Sequence, residues 1–251
     1  MDISPKVRLF VAQPLGGGGA VALDQAQAHY LLHVMRAGPG TMVALFNGRD
    51  GEWLARIDQL SKRGATLMVA DQTRPQSAEP DLWLLFAPVK RARIDIIVEK
   101  AGELGVSELF PVFTRHTVMT RVNGERLSAI AIEASEQCER LSVPTVHEAR
   151  SLEEMLSGWP AGRRLILLDE GGGGRPVAEA FADLGGGPAA ILVGPEGGFA
   201  KSELDALRRL SFACPVDLGP RILRADTAVI AALSCFQAIC GDWRVPPGAL
   251  L

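Results

Sequence analysis

Apolar and polar residues follow two different periods along the chain, and the change of period divides the chain into two regions. In the first region, short β-type runs such as "GATLMVAD" (64–71) are joined by turn residues, as in a strand-rich domain. Beyond Asp81, continuously apolar runs such as "LWLLFAPV" and "AAILVG" alternate with segments of helical periodicity. This order predicts a strand-rich first domain and then a parallel α/β sheet covered by helices on both faces.

The first region predicts a small β-barrel. "DQAQAHYLLHVMRAGPG" has the pattern of a short amphipathic helix that ends at a glycine–proline turn. Three β-type runs follow, and the first two are joined through "NGRDG". The polar, proline-bearing stretch 72–80 is the best linker candidate in the sequence. We therefore predict a barrel domain over 1–72, a linker over 73–80 and an α/β domain over 81–251.

The second region predicts five further strands after "LWLLFAPV", namely "VSELFPVF", "PTVHEA", "RRLILLDE", "AAILVG" and "CPVDLG". Helical periodicity lies between the strand candidates. The predicted helices cover 91–105, 126–141, 151–158, 176–184, 202–210 and 226–240.

Composition narrows the class of protein. The chain has 251 residues, 47% hydrophobic and 22% charged, which is typical of a folded protein with a sizeable core. It contains no apolar run of membrane-helix length, and its first residues do not resemble a signal peptide, so we expect a cytoplasmic protein without a membrane segment. The four cysteines lack paired spacing and predict buried thiols. A net charge of −3 argues against binding nucleic acid by bulk charge, but it permits a local RNA-binding face.

Two segments carry the pattern of a ligand site. "ILVGPEGGF" and "VDLGPRILRADTA" both run from a strand through Gly-Pro and a polar loop into a helix. Ligands of open α/β sheets bind beyond the carboxyl ends of the strands, where such loops lie. Arg221 and Arg224 add two fixed positive charges, and Asp226 or Thr227 is placed to cap the helix that follows. The two loops predict a cup rich in backbone N–H groups, suited to a nucleobase edge or a carboxylate.

Other site chemistries find little support. Neither loop has the glycine pattern of a phosphate-binding loop, no set of clustered ligands predicts a metal site, and no motif predicts a covalent nucleophile. Helical spacing places Glu133, Gln137 and Arg140 on one face, and Lys90, Arg91, Arg93, Lys100 and Glu103 on the polar side of another helix. Most such charges form a solvated face. The sharper alternative is a subunit contact or an RNA-contacting rim.

The ordered segments "HYLLHVMRAGPG", "LFNGRDGEW", "VKRARIDIIVEKAGELGV", "EASEQCERLSVP", "LVGPEGGF" and "LGPRILRADTA" resemble those of the bacterial 16S ribosomal RNA uracil-N3 methyltransferases, in the SPOUT class of S-adenosylmethionine enzymes. The resemblance covers nearly the whole chain. It implies an N-terminal PUA-like RNA-binding barrel, a C-terminal α/β domain with a deep trefoil knot, and a homodimer. The implied target is N3 of one uridine, conventionally numbered 1498, in 16S rRNA of the small ribosomal subunit.

The resemblance also implies roles for particular residues. Arg224 and Glu196 are the catalytic candidates. The implied S-adenosylmethionine pocket consists of Leu168, Gly194, Glu196, Gly197, Leu218, Gly219, Ile222, Leu223 and Arg224. The predicted RNA contacts are His29, Arg36, Lys90, Arg91, Arg93 and Arg140, and no metal is expected.

Two positions depart from the family's usual pattern. Asp226 stands where the family usually has glutamate, and it keeps the charge with less reach. Ala200 stands where the family tends to have serine, so we expect the helix to lose a capping box, at a cost of about 1 kcal/mol.

The implied reaction moves a methyl group from a sulfonium to uracil N3, which must lose its proton. Glu196, Glu103 and Asp226 all stay open as the group that removes it, and for Glu196 we favour a role in orienting the loop and cofactor through backbone hydrogen bonds. Two other functions also stay open, a SPOUT methyltransferase that acts on transfer RNA and a non-catalytic RNA-binding protein.

Overall fold

A computed structural model describes Pro5 and Val7–Arg244, with the backbone alone for Arg91. The remaining residues of the predicted domain ranges, 1–4, 6 and 245–251, lie outside the described part. The chain divides into two compact units between Ala78 and Glu79, inside the predicted linker. The segment Ser135–Val143 also belongs to the first unit. No pattern in the sequence predicted this return of the chain. The limits of separately folding domains stay a prediction.

The first unit is built on a five-stranded sheet. In chain order its strands are β1 Arg8–Phe10, β2 Ala20–Leu23, β3 Met42–Phe46, β4 Glu52–Ser61 and β5 Gly64–Arg74. Their order in the sheet is β1-β3-β4-β5-β2, with β1 parallel to β3 and the other pairs antiparallel. The predicted strands are therefore present, and β5 extends two residues into the predicted linker. Among the described pairings β1 and β2 are the two edges, so closure into a barrel stays a prediction.

Alternation along β5 shows how this sheet buries one face. Ala65, Leu67 and Val69 are buried, while the residues between them are half-buried. They join a single apolar core with Val43, Leu45 and other side chains of the sheet. The alternation therefore lies in the burial of the side chains, whereas the sequence, with four consecutive apolar residues at 67–70, predicted only a strand.

The predicted amphipathic helix changes its winding halfway. α1 covers Gln25–His29 and is capped at its start by Asp24, whose side chain accepts a hydrogen bond from the Gln27 backbone N–H at 2.8 Å. The chain then continues as a π-helical turn over Tyr30–Val34, which the 3.6-residue pattern did not predict. Leu31 is nevertheless fully buried, so the apolar face of the segment reaches the core.

A nearly buried ionic network organises the first unit around Arg8. Its Nε donates to Glu52 Oε2 at 2.6 Å, and its guanidinium lies 3.7 Å from the centre of the Phe46 ring. Arg8 also donates to the backbone carbonyls of Ser135 and Arg140. Arg8 therefore uses its fork of donors to hold the segment Ser135–Val143 in this unit.

Burial by itself would raise the pKa of Glu52, but the hydrogen bonds from Arg8 and Thr73 and the nearby charge of Arg74 outweigh burial, so the pKa of Glu52 lies below its ordinary value. A carboxylate with a depressed pKa in the folded state stabilises the fold above its unfolded-state pKa. That stabilisation is lost as the pH falls through the folded-state pKa.

We expect Glu52→Gln to lower the free energy of unfolding at pH 7 by about 2–3 kcal/mol, since it removes a charge-assisted partner of Arg8. The difference from wild type should shrink as the pH falls below the ordinary glutamate pKa of 4.5. Urea unfolding followed by circular dichroism at several pH values measures both effects. Asp58→Asn, an exposed carboxylate on the same strand, is the control. Equal losses in the two variants would contradict the role of the network.

The second unit is built on eight parallel strands. They are β6 Leu82–Phe86, β7 Glu108–Phe113, β8 Thr145–Val146, β9 Arg150–Ser151, β10 Arg164–Leu168, β11 Arg175–Pro176, β12 Ala189–Val193 and β13 Ala213–Asp217. The helices are α2 Arg91–Glu103, α3 Gly124–Gln137, α4 Leu152–Ser157, α5 Val177–Ala182, α6 Lys201–Arg208 and α7 Ala225–Ile239. A short 3₁₀ turn, Asp242–Arg244, follows α7.

The strand order is β11-β13-β10-β12-β6-β7-β8, and β9 also pairs with β7. Every described pairing in this unit is parallel, as the continuously apolar strands predicted. All five residues of β12 are buried, which requires cover on both of its faces. On one face, side chains of β10 and β12 pack against Met155 of α4 and against Leu204 and Leu207 of α6. On the other face, α7 contacts β12, α2 and α5.

No helix among the described residues is long and apolar enough to span a membrane. The described residues also contain no group of three or more histidine, cysteine, aspartate or glutamate side chains placed to hold a metal ion.

All four cysteines are only partly buried, whereas the sequence predicted buried thiols. Burial still raises the pKa of Cys240 to about 11, which keeps this thiol protonated at neutral pH.

Candidate functional site

A cleft of about 630 Å³ opens at the carboxyl ends of three neighbouring strands, β10, β12 and β13. β10 lies between the other two, so the loops that follow β12 and β13 face each other across the loop that follows β10. The loop after β12 is "GPEGGF" and the loop after β13 is "LGPRILRA", and these are the two loops selected from the sequence. The rule that ligand sites lie beyond the carboxyl ends of parallel strands therefore located the cleft.

Most of the predicted cofactor residues line this cleft. They are Leu168, Gly194, Glu196, Leu218, Gly219, Ile222, Leu223 and Arg224. Gly197 belongs to the same loop but is not among the described lining residues. Arg221, predicted as a cation of the cup, also lines the cleft, as do Lys90 and Arg93, which were predicted as RNA contacts. Sequence reasoning selected no role for the lining residues Asp169, Glu170, Pro195, Gly198 and Asp217.

Two glycines give the "GPEGGF" loop its shape. Gly198 has a φ of +69°, and its N–H donates to the carbonyl of Pro195 at 2.9 Å, so Glu196 and Gly197 are the central residues of a tight turn. A Cβ on Gly194 would lie 2.9 Å from the ring of Phe199. Gly194 is therefore needed for the packing of a core phenylalanine, whereas the sequence suggested the close approach of a ligand.

Side chains from two other elements fix the end of this loop. Glu170 Oε1 accepts a hydrogen bond from the backbone N–H of Phe199 at 2.8 Å. Nδ1 of His116 donates to the carbonyl of Gly198 at 3.1 Å, which requires a proton on that nitrogen. Neither residue was selected from the sequence. Glu170 had a readable signal, since it is a carboxylate just beyond the carboxyl end of a buried strand.

A bidentate ion pair holds the middle loop. Asp169 has a fully buried side chain and accepts from Arg208 Nε at 2.7 Å and Arg208 Nη2 at 2.8 Å. It also accepts from the backbone N–H of Gly171 at 2.9 Å. The hydrogen bond to Asp169 raises the pKa of Arg208 above its ordinary value. This ion pair joins the carboxyl end of β10 to the last turn of α6 and sets the position of Glu170.

The loop after β13 turns on Asp217, whose side chain accepts from the backbone N–H of Gly219 at 2.7 Å. Gly219 has a φ of +101°, a conformation that favours glycine strongly. The loop leaves Ile222 90% exposed in the cleft wall. Arg221 and Arg224 are also exposed there, and neither forms an ion pair with another described residue. This side of the cleft therefore offers an apolar surface and two available cations.

The predicted cap of α7 was wrong. The helix begins after Arg224, which occupies the N-cap position without a side-chain cap, so Asp226 and Thr227 lie inside the first turn. Oδ1 of Asp226 is buried and has no hydrogen-bond partner among the described atoms.

The capping box at Ala200, at the start of α6, is only half lost, because Glu203 Oε2 still accepts a hydrogen bond from the Ala200 backbone N–H at 3.0 Å.

The favoured role of Glu196 in backbone hydrogen bonding is not what the structure describes. Its Oε1 accepts from Arg93 Nη1 at 2.6 Å. Arg93 lies in the first turn of α2, next to Lys90, and both line the cleft. The third candidate base, Glu103, is at the far end of α2, roughly 15 Å from Arg93 along the helix axis. The carboxylate of Glu103 accepts a hydrogen bond from Nζ of Lys100.

The other predicted RNA contacts lie elsewhere. His29, whose ring is 4.6 Å from that of His33, belongs to the first unit, as does the exposed Arg36. Arg140 does not share a helix face with Glu133, because α3 ends at Gln137 and Glu139 adopts a left-handed φ of +62°. The side chain of Arg91 lies outside the described part of the structure.

We expect Asp169→Asn to lower the free energy of unfolding by about 3 kcal/mol, because it leaves Arg208 without its buried counter-charge. Amides of residues 169–174 and 198–200 should exchange faster, since Glu170 loses its fixed position. Asp205→Asn is the matched control, as Asp205 lies 3.9 Å from Arg208 but is half-exposed. Hydrogen exchange with mass spectrometry, together with urea unfolding, compares the variants. Unchanged protection in Asp169→Asn would show that the ion pair does not organise the cleft.

Comparison with known proteins gives a consistent result. The family model described as an RNA methyltransferase domain matches residues 76–237, and the one described as an RNA methyltransferase PUA domain matches residues 23–68. The chain is 30% identical over 230 residues to ribosomal RNA small subunit methyltransferase E of Rickettsia conorii, covering 90% of this chain and 93% of that protein.

Two solved structures share the fold. The enzyme of the same name from Neisseria gonorrhoeae, bound to S-adenosyl methionine, has a TM-score of 0.81 at 28% identity and covers 94% of this chain and 99% of that chain. A Legionella pneumophila protein in complex with the bound cofactor SAM has a TM-score of 0.82 at 26% identity, covering 94% of this chain and 98% of that one. Because the RNA methyltransferase domain model matches more than half of the chain, the chain belongs to the RNA methyltransferase family.

Proposed function

We propose that the chain is an S-adenosylmethionine-dependent methyltransferase that methylates N3 of the uridine conventionally numbered 1498 in 16S rRNA. The observation that carries the proposal is the cleft at the ends of β10, β12 and β13. Two relatives of the same fold have been solved with this cofactor, and several relatives are named as ribosomal RNA small subunit methyltransferases. The uracil N3 position follows from the sequence resemblance.

The chemistry of the cleft fits the cofactor. Its volume lies within the range of small-molecule sites. Exposed Ile222 and partly buried Leu218 and Leu223 offer apolar surface to an adenine ring. Arg221 and Arg224 suit a carboxylate, and Asp217 suits an ammonium or hydroxyl group. We propose Leu168, Gly194, Glu196, Gly197, Leu218, Gly219, Ile222, Leu223 and Arg224 as the binding residues, with Gly197 acting through the turn that it shares with Glu196.

S-adenosylmethionine, when bound, supplies the methyl group from its sulfonium. The protein has to favour the deprotonated form of uracil N3, and we propose Arg224, at the N-terminus of α7, for this role. There its guanidinium and the positive end of the helix dipole both favour a developing uridinate anion. For removal of the proton we favour Glu196 or Asp226 over Glu103, because Glu103 lies at the end of α2 remote from the cleft.

We further propose a trefoil knot, a homodimer and a cytoplasmic enzyme that acts on the small ribosomal subunit. Support for the knot comes from the strand order, since the consecutive strands β12 and β13 lie on opposite sides of β10. The PUA match supports an RNA-binding role for the first unit, in which His29, Arg36 and Arg140 are the proposed contacts. Lys90 and Arg91, at the entry to α2, are proposed contacts of the second unit.

We expect Arg224→Ala to reduce methyl transfer by about 100-fold or more, as loss of an anion-stabilising group does, with little effect on folding. Glu196→Gln should also reduce transfer more than it reduces stability. The assay follows labelled methyl from S-adenosylmethionine into small subunits that lack the modification. Arg209→Ala, an exposed arginine at the end of α6, is the control. Unchanged turnover in both cleft variants would refute these assignments.

Titration calorimetry with S-adenosylmethionine tests the cofactor itself. Binding is expected, and its absence would favour a non-catalytic RNA-binding protein. Primer extension across ribosomal and transfer RNAs from a deletion strain then identifies the target. A primer-extension stop that the deletion strain loses only at the 16S uridine supports the proposal. Loss of a stop in a transfer RNA instead would overturn it.

A further inference from the structure

Arg93 and Glu196 form an ion pair between two elements that are far apart in sequence. Nη1 of Arg93 and Oε1 of Glu196 are 2.6 Å apart, and their side chains are 28% and 39% exposed. Arg93 lies in the first turn of α2, and Glu196 lies in the tight turn after β12. Since both residues line the cleft, the pair is part of its wall.

The other described anchors of this turn act on the residues beyond Glu196. Glu170 holds the N–H of Phe199, and His116 holds the carbonyl of Gly198. Both anchors contact the backbone at the end of the turn, and neither fixes the Glu196 side chain. Among the described residues, Arg93 alone forms an ion pair with that carboxylate. The direction of the Glu196 side chain therefore depends on Arg93.

The charges of the cleft show why this direction matters. Arg221 and Arg224 line the same cleft and form no described ion pair. Without Arg93, the Glu196 carboxylate would be attracted to one of these cations and would occupy the place of an anionic ligand group. With Arg93 present, the negative charge of Glu196 is balanced by a direct partner at 2.6 Å.

We propose that Arg93 is a positioning residue that acts through Glu196, holding this carboxylate away from Arg221 and Arg224 so that the cleft accepts the cofactor. The inference rests on the proposed function. The sequence prediction of Arg93 as an RNA contact is the alternative that the experiment below distinguishes from this role.

A double-mutant cycle on the full chain tests the proposal. The variants are Arg93→Ala, Glu196→Gln and the pair together, with the dissociation constant of S-adenosylmethionine measured by calorimetry. We expect Arg93→Ala to weaken binding about three- to tenfold, as loss of a partly exposed, charge-assisted pair does. In the Glu196→Gln background the same change should have no further effect, because the carboxylate through which Arg93 acts is gone. Arg93→Lys should restore much of the affinity.

Lys100→Ala is the matched control, since Lys100 is a cation on the same helix whose partners Glu99 and Glu103 lie within that helix. It should leave cofactor affinity unchanged, and circular dichroism checks that every variant is folded. Additive effects of Arg93→Ala and Glu196→Gln would overturn the proposal. So would an Arg93→Ala variant with normal cofactor affinity and weakened binding of small subunits. If the wild type itself failed to bind S-adenosylmethionine, the proposed function would fail instead.

Discussion

The ion pair between the buried Asp169 and the partly exposed Arg208 is the interaction on which the cleft depends. The side chain of Asp169 is fully buried at the end of β10, and a carboxylate there is tolerable only because a bidentate guanidinium and a backbone N–H satisfy it. Its position places the next residue, Glu170, against the N–H of Phe199. One ion pair thus sets the middle loop directly and the loop after β12 through its neighbour.

The parallel sheet explains why these loops meet. Parallel strands end at a common edge, and the order β13-β10-β12 brings together loops that are far apart along the chain. The three loops carry both signs of charge, and the structure pairs some and leaves others available. Asp169 and Glu196 have arginine partners, whereas Arg221 and Arg224 form no described ion pair. This division of charge leaves two available cations in the cleft wall, which suit an anionic group.

In the first unit, charged residues hold a distant segment of the chain. Arg8, Glu52 and Arg74 are nearly buried, and together they accept the returning segment Ser135–Val143 through its backbone carbonyls. Removing one member of such a network costs stability, because it leaves a nearly buried charge without its partner. The network also adds specificity, since only a segment with carbonyls at matching positions satisfies the donors of Arg8 and Arg74.

The sequence by itself determined most of the elements, the parallel class of the second sheet and the two loops of the cleft, because these depend on local periodicity and on residues such as Gly219, which adopts a positive φ that other residues rarely adopt. Only the tertiary structure decided the partners. Contacts between residues distant in sequence pair Arg93 with Glu196 and Asp169 with Arg208. Such contacts also hold Arg140 away from the helix face that its spacing predicted. Charged side chains are long and have many candidate partners, so spacing along the chain does not determine which one they contact.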